Sequence, residues 1–269
     1  MKIVVIGASG CVGELLVRAL RRDGLEVVEA SPSHGVDAVT GEGLDRAFHG
    51  AEVVVDVSNS PSLEGDAPLR FFEAAGRNLM AAARAAGVKH HLALSIAGTD
   101  GLQASGYFRA KKLQEDLIKA SGIPYSIVRS TQFFEFIAGV VQNGRADNVP
   151  ISPALAQPIS RIDVAELLAE LATGEPLNAT IEVAGPERFR LCDIATEVAT
   201  AYEDQRRIIA DPKACYFGAE LTDQSLLPGQ SARIGGLRFE DWLRERLQCE
   251  PARQAAGEVS GRSGVRRSL

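Results

Sequence analysis

Tyr107 and Lys111 stand four residues apart in the run Tyr107-Phe108-Arg109-Ala110-Lys111. That spacing puts a phenol and an ammonium on one face of a helix. A free tyrosine ionises near ~10, too high for acid–base work at neutral pH. A neighbouring ammonium stabilises the phenolate and lowers that value by ~1–3 units, which makes the pair a proton donor and acceptor. Ser95, twelve positions before Tyr107, ends the apolar run Leu92-Ala93-Leu94-Ser95-Ile96. A hydroxyl at the carboxyl end of a strand can bind a carbonyl oxygen and stabilise charge developing there. Tyr107, Lys111 and Ser95 are therefore the candidate catalytic residues. A Tyr-x3-Lys pair by itself also occurs on solvated helix faces, so the reading needs a second feature.

The amino-terminal glycines supply it. Gly7-Ala8-Ser9-Gly10-Cys11-Val12-Gly13 joins the apolar run Lys2–Ile6 to a helical pattern over Glu14–Arg22. A dinucleotide diphosphate needs close backbone approach, free N–H donors and a helix amino terminus. Gly7 permits the turn, Gly10 removes a side chain where phosphate would sit, and Gly13 lets helix and strand touch. The spacing is G-x-x-G-x-x-G, and its place between strand and helix gives it weight. Gly7, Ser9, Gly10, Cys11, Val12 and Gly13 are candidate cofactor-binding residues, with Cys11 read as a small side chain of the first turn. Lys111 would add a bond to the nicotinamide ribose. After the second strand, Ser31, Ser33 and His34 could donate to a 2′-phosphate, whereas Glu29 lies too early to hold a ribose 2′-hydroxyl. The expected cofactor is NADP, with NAD possible. Turn chemistry around Pro32 accounts for the two serines nearly as well.

These residues need a scaffold. Strand patterns fall at Lys2–Ile6, Glu26–Ala30, Glu52–Val57, His91–Ile96 and Tyr125–Arg129, with a weak element near Val36–Thr40. Helical patterns fall at Glu14–Arg22, Gly43–His49, Leu69–Ala86 and Phe108–Ala120. Strands alternating with helices imply parallel pairing and right-handed crossovers. The fold class is α/β, a Rossmann-type doubly wound sheet with a small C-terminal substrate cap. Later patterns are helical at Asp163–Ala172, Leu191–Glu203 and Arg238–Leu247 and strand-like at Thr180–Ala184. Residues 1–249 read as one nucleotide-binding domain, of which 131–249 contribute the cap. Residues 250–269, rich in Gly, Ser and Arg, read as a disordered tail. Gln132, Phe133, Phe134 and Phe136 follow the strand at 125–129 and are expected to wall an apolar or aromatic small-molecule substrate. Tyr216-Phe217-Gly218 is expected to close the opposite side.

Composition narrows the partners. Of 269 residues, 45% are hydrophobic and the net charge is −6, which disfavours nucleic acid and anionic membrane surfaces. No run of 18 apolar residues suggests a membrane span, and Ile3–Ile6 is too short for a signal core. Cys11, Cys192, Cys215 and Cys249 are scattered, as are His34, His49 and the His90-His91 pair, so no metal site is expected. The reading is a reduced, cytoplasmic protein.

Several short motifs occur in a telling order: GASGCVG at 7–13, Asn78-Leu79, Gly87-Val88-Lys89, Leu94-Ser95, YFRAK at 107–111 and Gly122-Ile123-Pro124-Tyr125. Val128-Arg129, Arg161-Ile162-Asp163-Val164-Ala165 and Ala184-Gly185-Pro186-Glu187 continue the series. Together they resemble the short-chain dehydrogenase/reductase superfamily in its atypical, NmrA-like, NAD(P)-binding branch. The resemblance covers nearly all of 1–249. It implies Tyr107 as general acid and base, Lys111 as its activator, Ser95 as substrate anchor, and Ser58 and Asn59 along the adenosine half of the cofactor. It also implies a homodimer through the helices at 69–86 and 108–120. The expected activity is hydride transfer between NADPH and a carbonyl, quinone or enone. The alternatives are a redox sensor that binds NAD(P) without turnover and, less favoured, a sugar-nucleotide epimerase. The Ser95–Tyr107 gap is slightly shorter than is usual where the triad is intact.

Overall fold

The structure is a computed structural model and describes residues 1–142 and 147–248; the tail expected at 250–269 and Cys249 lie outside the described residues. Strands β1 (Lys2–Ile6), β2 (Glu26–Ala30), β3 (Val53–Asp56), β4 (His90–Ile96) and β5 (Tyr125–Ser130) alternate with helices α1 (Cys11–Arg22), α2 (Leu44–Phe48), α3 (Ala67–Ala86) and α4 (Gly106–Lys119). Helix α5 (Phe134–Gln142), β6 (Asn148–Ile151), β7 (Leu155–Ala156) and α6 (Arg161–Thr173) follow. Next come β8 (Ala179–Ala184), β9 (Phe189–Arg190), α7 (Leu191–Ala201), β10 (Arg207–Ala210) and β11 (Arg233–Ile234), then a helical stretch at 239–248.

The central sheet runs β11-β8-β5-β4-β3-β1-β2, and every pairing in it is parallel. Strand β3 is fully buried, as its Val53-Val54-Val55 run requires of a strand covered on both faces. Helices α1 and α6 pack on one face with Leu16, Leu20, Val164 and Leu168. Leu79, Met80, Ala83 and Ile118 of α3 and α4 cover the other. The chain leaves β1 toward β2 on one side and returns to β3 on the other. A crevice therefore opens at the carboxyl ends of β1 and β3, where such sheets bind ligands.

One sequence expectation fails here. Val36–Thr40 forms no strand: the Asp37 carboxylate accepts the Val39 amide at 2.7 Å and the Thr40 amide at 3.4 Å, which turns the chain. The cap is also less continuous than a 131–249 block. Helix α6 packs on α1 and β8 joins β5, so the middle of that stretch returns to the sheet. The remainder has its own core, built from Phe134, Ile137, Leu191, Ile194, Phe239 and Trp242. Burying each such side chain contributes ~1.5–3 kcal/mol.

Candidate functional site

The glycine loop sits at the crevice. Gly7 has φ +81°, and a Cβ there would lie 2.9 Å from the backbone of Ser58, just after β3. A Cβ on Gly13 would overlap the Gly7 carbonyl oxygen and come within 2.8 Å of Ala8 Cα, so α1 rests directly on the loop. Ser9, Gly10 and Cys11 are exposed and Val12 is buried. Helix α1 has Gly10 as its N-cap and no side chain capping its first turn, so its leading N–H groups stay available to an acceptor.

At the end of β2, Ser31 caps a 3-10 turn over Pro32–His34. The Ser31 hydroxyl lies 3.0 Å from that of Ser33 and 2.7 Å from His34 Nδ1. Glu29 is occupied elsewhere, 2.6 Å from Arg21 Nη2 and 3.4 Å from His34 Nε2. Ser31, Ser33 and His34 thus form one hydrogen-bonded cluster.

Tyr107 occupies the first turn of α4, which Ser105 caps by accepting the Phe108 amide. The phenol donates to Asn59 Oδ1 at 3.3 Å, and Asn59 also accepts the Ser60 amide at 3.0 Å. The tyrosine hydroxyl is therefore tied to the segment that abuts Gly7. Burial pushes the phenol up to about 12, and the Asn59 bond offsets this only in part. This corrects the expected lowering by Lys111. The lysine is buried, with Nζ bonded to the Leu94 carbonyl at 2.9 Å and to Gln114 Oε1, and it lies 4.4 Å from the centre of the Phe72 ring. Burial draws its ammonium down to about 8, with Asp56 and Glu115 opposing. Gln114 Nε2 in turn donates to Asp56 Oδ2 at 2.8 Å, and Asp56 Oδ1 accepts the Ser58 hydroxyl at 2.6 Å. Lys111 and the cofactor candidate Ser58 thereby share one buried network.

Ser95 departs from its expected role. It is buried and donates to Glu115 Oε1 at 2.7 Å, inside a cluster where Arg129 and Lys119 pair with the same carboxylate. Burial tends to raise Glu115, yet Arg129 and Ser95 outweigh it and hold the carboxyl below its ordinary range. The strand's alternation turns Ser95 toward α4, and the structure does not bring its hydroxyl to Tyr107.

The aromatic wall also divides. Consecutive helical residues diverge by ~100°, and Phe134 points into the cap core, 5.4 Å from both Phe239 and Trp242. Phe133 packs on the sheet core, and Gln132 is buried with its side-chain amide set against the Tyr216 hydroxyl. Phe136 lines a cavity between α5, β6 and α7. Phe217, in the Tyr216-Phe217-Gly218 run, has its ring 5.1 Å from that of Tyr107 and 5.4 Å from that of Phe136.

A family profile described as NAD(P)H-binding matches residues 7–175, more than half of the chain. The chain belongs to the NAD(P)H-binding family. Similar proteins include (4-alkanoyl-5-oxo-2,5-dihydrofuran-3-yl)methyl phosphate reductase of Streptomyces griseus subsp. griseus, 28% identical over 69% of this chain and 68% of the relative. Ceramide reductase of Caulobacter vibrioides is 31% identical over 63% of this chain and 59% of the relative. The chain thus spans about three fifths to two thirds of the length of these relatives. Among solved structures, MoeE5 in complex with UDP-glucose and NAD superposes with a TM-score of 0.73 at 16% identity, over 94% of this chain and 100% of that one. At that identity it speaks to the fold.

The residues present fit the family's dinucleotide. A loop in which Gly7 and Gly13 leave no room for a Cβ, followed by an uncapped α1, is a cradle for a diphosphate. Gly7, Ser9, Gly10 and the backbone of Cys11, Val12 and Gly13 would hold it. Among the described residues no group of His, Cys, Asp and Glu is placed to bind a metal, and no helix is long and apolar enough to cross a membrane. Three residues of the site escape a reading of the sequence: Asp56, Gln114 and Glu115. A carboxylate inside Glu52-Val53-Val54-Val55-Asp56-Val57 was the available signal, since a charge in a buried strand needs partners.

Proposed function

We propose that the chain is an NADPH-dependent reductase of small apolar carbonyl, quinone or enone compounds, of the short-chain dehydrogenase/reductase type in its NmrA-like branch. The observation that carries this reading is the Tyr107 hydroxyl held on Asn59, beside the segment that touches the glycine loop. When bound, the dinucleotide supplies a hydride to the substrate carbon.

The chain supplies the proton. With its phenol pushed up to about 12 by burial, Tyr107 is a weaker acid than a free tyrosine, but it is protonated at neutral pH and so carries the proton to be given. An alkoxide is a stronger base than a phenolate, so transfer from Tyr107 Oη to the substrate oxygen runs downhill. The protonated phenol is the form that the reductive direction uses. Lys111, fixed at the carboxyl end of β4, contributes a positive charge and a donor beneath the crevice. Ser31 and Ser33 offer hydroxyls for a 2′-phosphate while Arg21 and His34 occupy Glu29, which supports NADP over NAD. Two of the chain's relatives are named reductases, which supports the same direction.

The test is NADPH consumption with ketone, quinone and enone substrates by the wild type and Tyr107→Phe. Loss of the general acid lowers kcat by ~10²–10⁴-fold with the Kd for NADPH within threefold. Tight NADPH binding without turnover on any carbonyl would instead favour a redox sensor.

A further inference from the structure

A cavity of about 310 Å³ opens beside Phe217, walled by α5, β6, α7 and the 214–221 loop. Among the described residues its lining is largely aliphatic and aromatic, with Ile137, Val140, Ile151, Leu191 and Leu221 among them, and none of those residues is charged. Ser152 there accepts the Ala154 amide at 3.2 Å, and the Cys215 thiol lies 3.7 Å from the Lys213 carbonyl. Such a lining offers nothing to recognise a phosphate or the hydroxyls of a sugar.

The wall between this cavity and the phenol is built at a cost. Phe217 has φ +49° and Gly218 φ +83°, and Tyr216 and Ala219 exchange both backbone hydrogen bonds, at 2.8 and 3.1 Å, across the two-residue turn. A turn of this shape favours Asn-Gly, and a bulky residue at its first position is strained. This turn sets the Phe217 ring against Tyr107 at 5.1 Å, and the same residue lines the cavity; the packing around it sustains the strained backbone.

We propose that this cavity binds the unbranched alkyl chain of the substrate, with the carbonyl reaching Tyr107 past the Phe217 ring; the proposal rests on the reductase reading for the identity of the reacting group. At ~30 Å³ per water-sized group the space takes about ten methylenes. Each added methylene is expected to raise kcat/KM about fourfold until the cavity is full.

The experiment uses methyl ketones from 2-butanone to 2-tetradecanone with NADPH, together with calorimetric titration of 2-decanone into the protein without NADPH. The wild type should show kcat/KM climbing with chain length and levelling off near 2-dodecanone, and should bind 2-decanone. Two variants at exposed or half-buried lining positions, Ala214→Trp and Val140→Glu, should each cut the ratio of kcat/KM for 2-decanone over 2-butanone at least tenfold and weaken 2-decanone binding to match. A flat chain-length series, or binding equal in the wild type and both variants, overturns the proposal. Binding that the variants weaken, with no ketone reduced, supports the cavity assignment and overturns the reductase reading instead. No detectable 2-decanone binding by the wild type overturns the cavity assignment.

Discussion

Tyr107 and Asn59 join helix α4 to the segment after β3 by a hydrogen bond of 3.3 Å between phenol and side-chain carbonyl. That bond brings the acid of one βα unit to the crevice floor of another. The bond also makes the phenol's position depend on the segment that touches Gly7, so the proposed cofactor cradle and the proposed proton donor are linked.

The cradle separates shape from space. A Cβ on Gly10 meets only the Gly7 carbonyl oxygen, at 3.1 Å, whereas one on Gly13 overlaps the loop itself. Gly10→Ala should fold with a melting temperature within ~2 °C of wild type, since its cost stays near that of a surface change, yet bind NADPH at least tenfold more weakly. Gly13→Ala should lose ~2–3 kcal/mol of stability as well, the usual cost of overpacking. Denaturant unfolding and fluorescence titration of NADPH distinguish the two.

Lys111 gives a pH signature. Its ammonium, drawn down to about 8 by burial, loses its charge as pH rises through that value. If that charge helps hold an anionic dinucleotide, NADPH affinity falls between pH 7 and pH 9. Lys111→Met should bind less tightly at pH 7 and show a flatter profile. Asp56→Asn withdraws the carboxylate that supports the ammonium, so its profile should break at lower pH. Isothermal titration across pH 6.5–9.5 reads all three.

Acid stability follows from the histidines of β4. His91 is fully buried, neither ring nitrogen has a hydrogen-bond partner, and burial holds it well below its ordinary value against the pull of Asp56. Burial also lowers His90, which bonds Ser126 at 2.9 Å. For a base whose folded value is depressed, the unfolded chain takes up the proton first. Stability is therefore lost as pH falls below the unfolded value of ~6.5, at up to ~1.4 kcal/mol per pH unit for each histidine. His91→Phe removes one such group without removing a hydrogen bond. Urea midpoints at pH 7 and pH 5 should differ less in this variant than in the wild type; an equal difference assigns the acid sensitivity elsewhere.

The sheet was legible because each strand and helix carries its own period. The Val53–Val55 run and the glycines at 7, 10 and 13 name the nucleotide half before any coordinates. The strand expected at Val36–Thr40 failed because a side chain, Asp37, captured the backbone donors a strand would have used. For Ser95 the pattern gave the right strand end but not the partner, since Glu115 reaches it from twenty residues away. Lys111 was expected to face the nicotinamide ribose and lies buried on the Leu94 carbonyl, the Phe72 ring and Gln114, which hands on to Asp56; the packing of α4 against α3, β3 and β4 that creates this site is not written in the Tyr-x3-Lys spacing. The cavity was illegible as a unit: its wall comes from four separate stretches between 136 and 221, and only Phe136, Tyr216 and Phe217 stood out in advance.

The most direct test is a crystal structure with NADP and a ketone bound. The account predicts the diphosphate on the amides of residues 10–13, with the Tyr107 hydroxyl within ~3.2 Å of the ketone oxygen and the nicotinamide on the same side of the crevice. A diphosphate seated away from the glycine loop, or a nicotinamide and ketone on the far side of α4 from that hydroxyl, would contradict it.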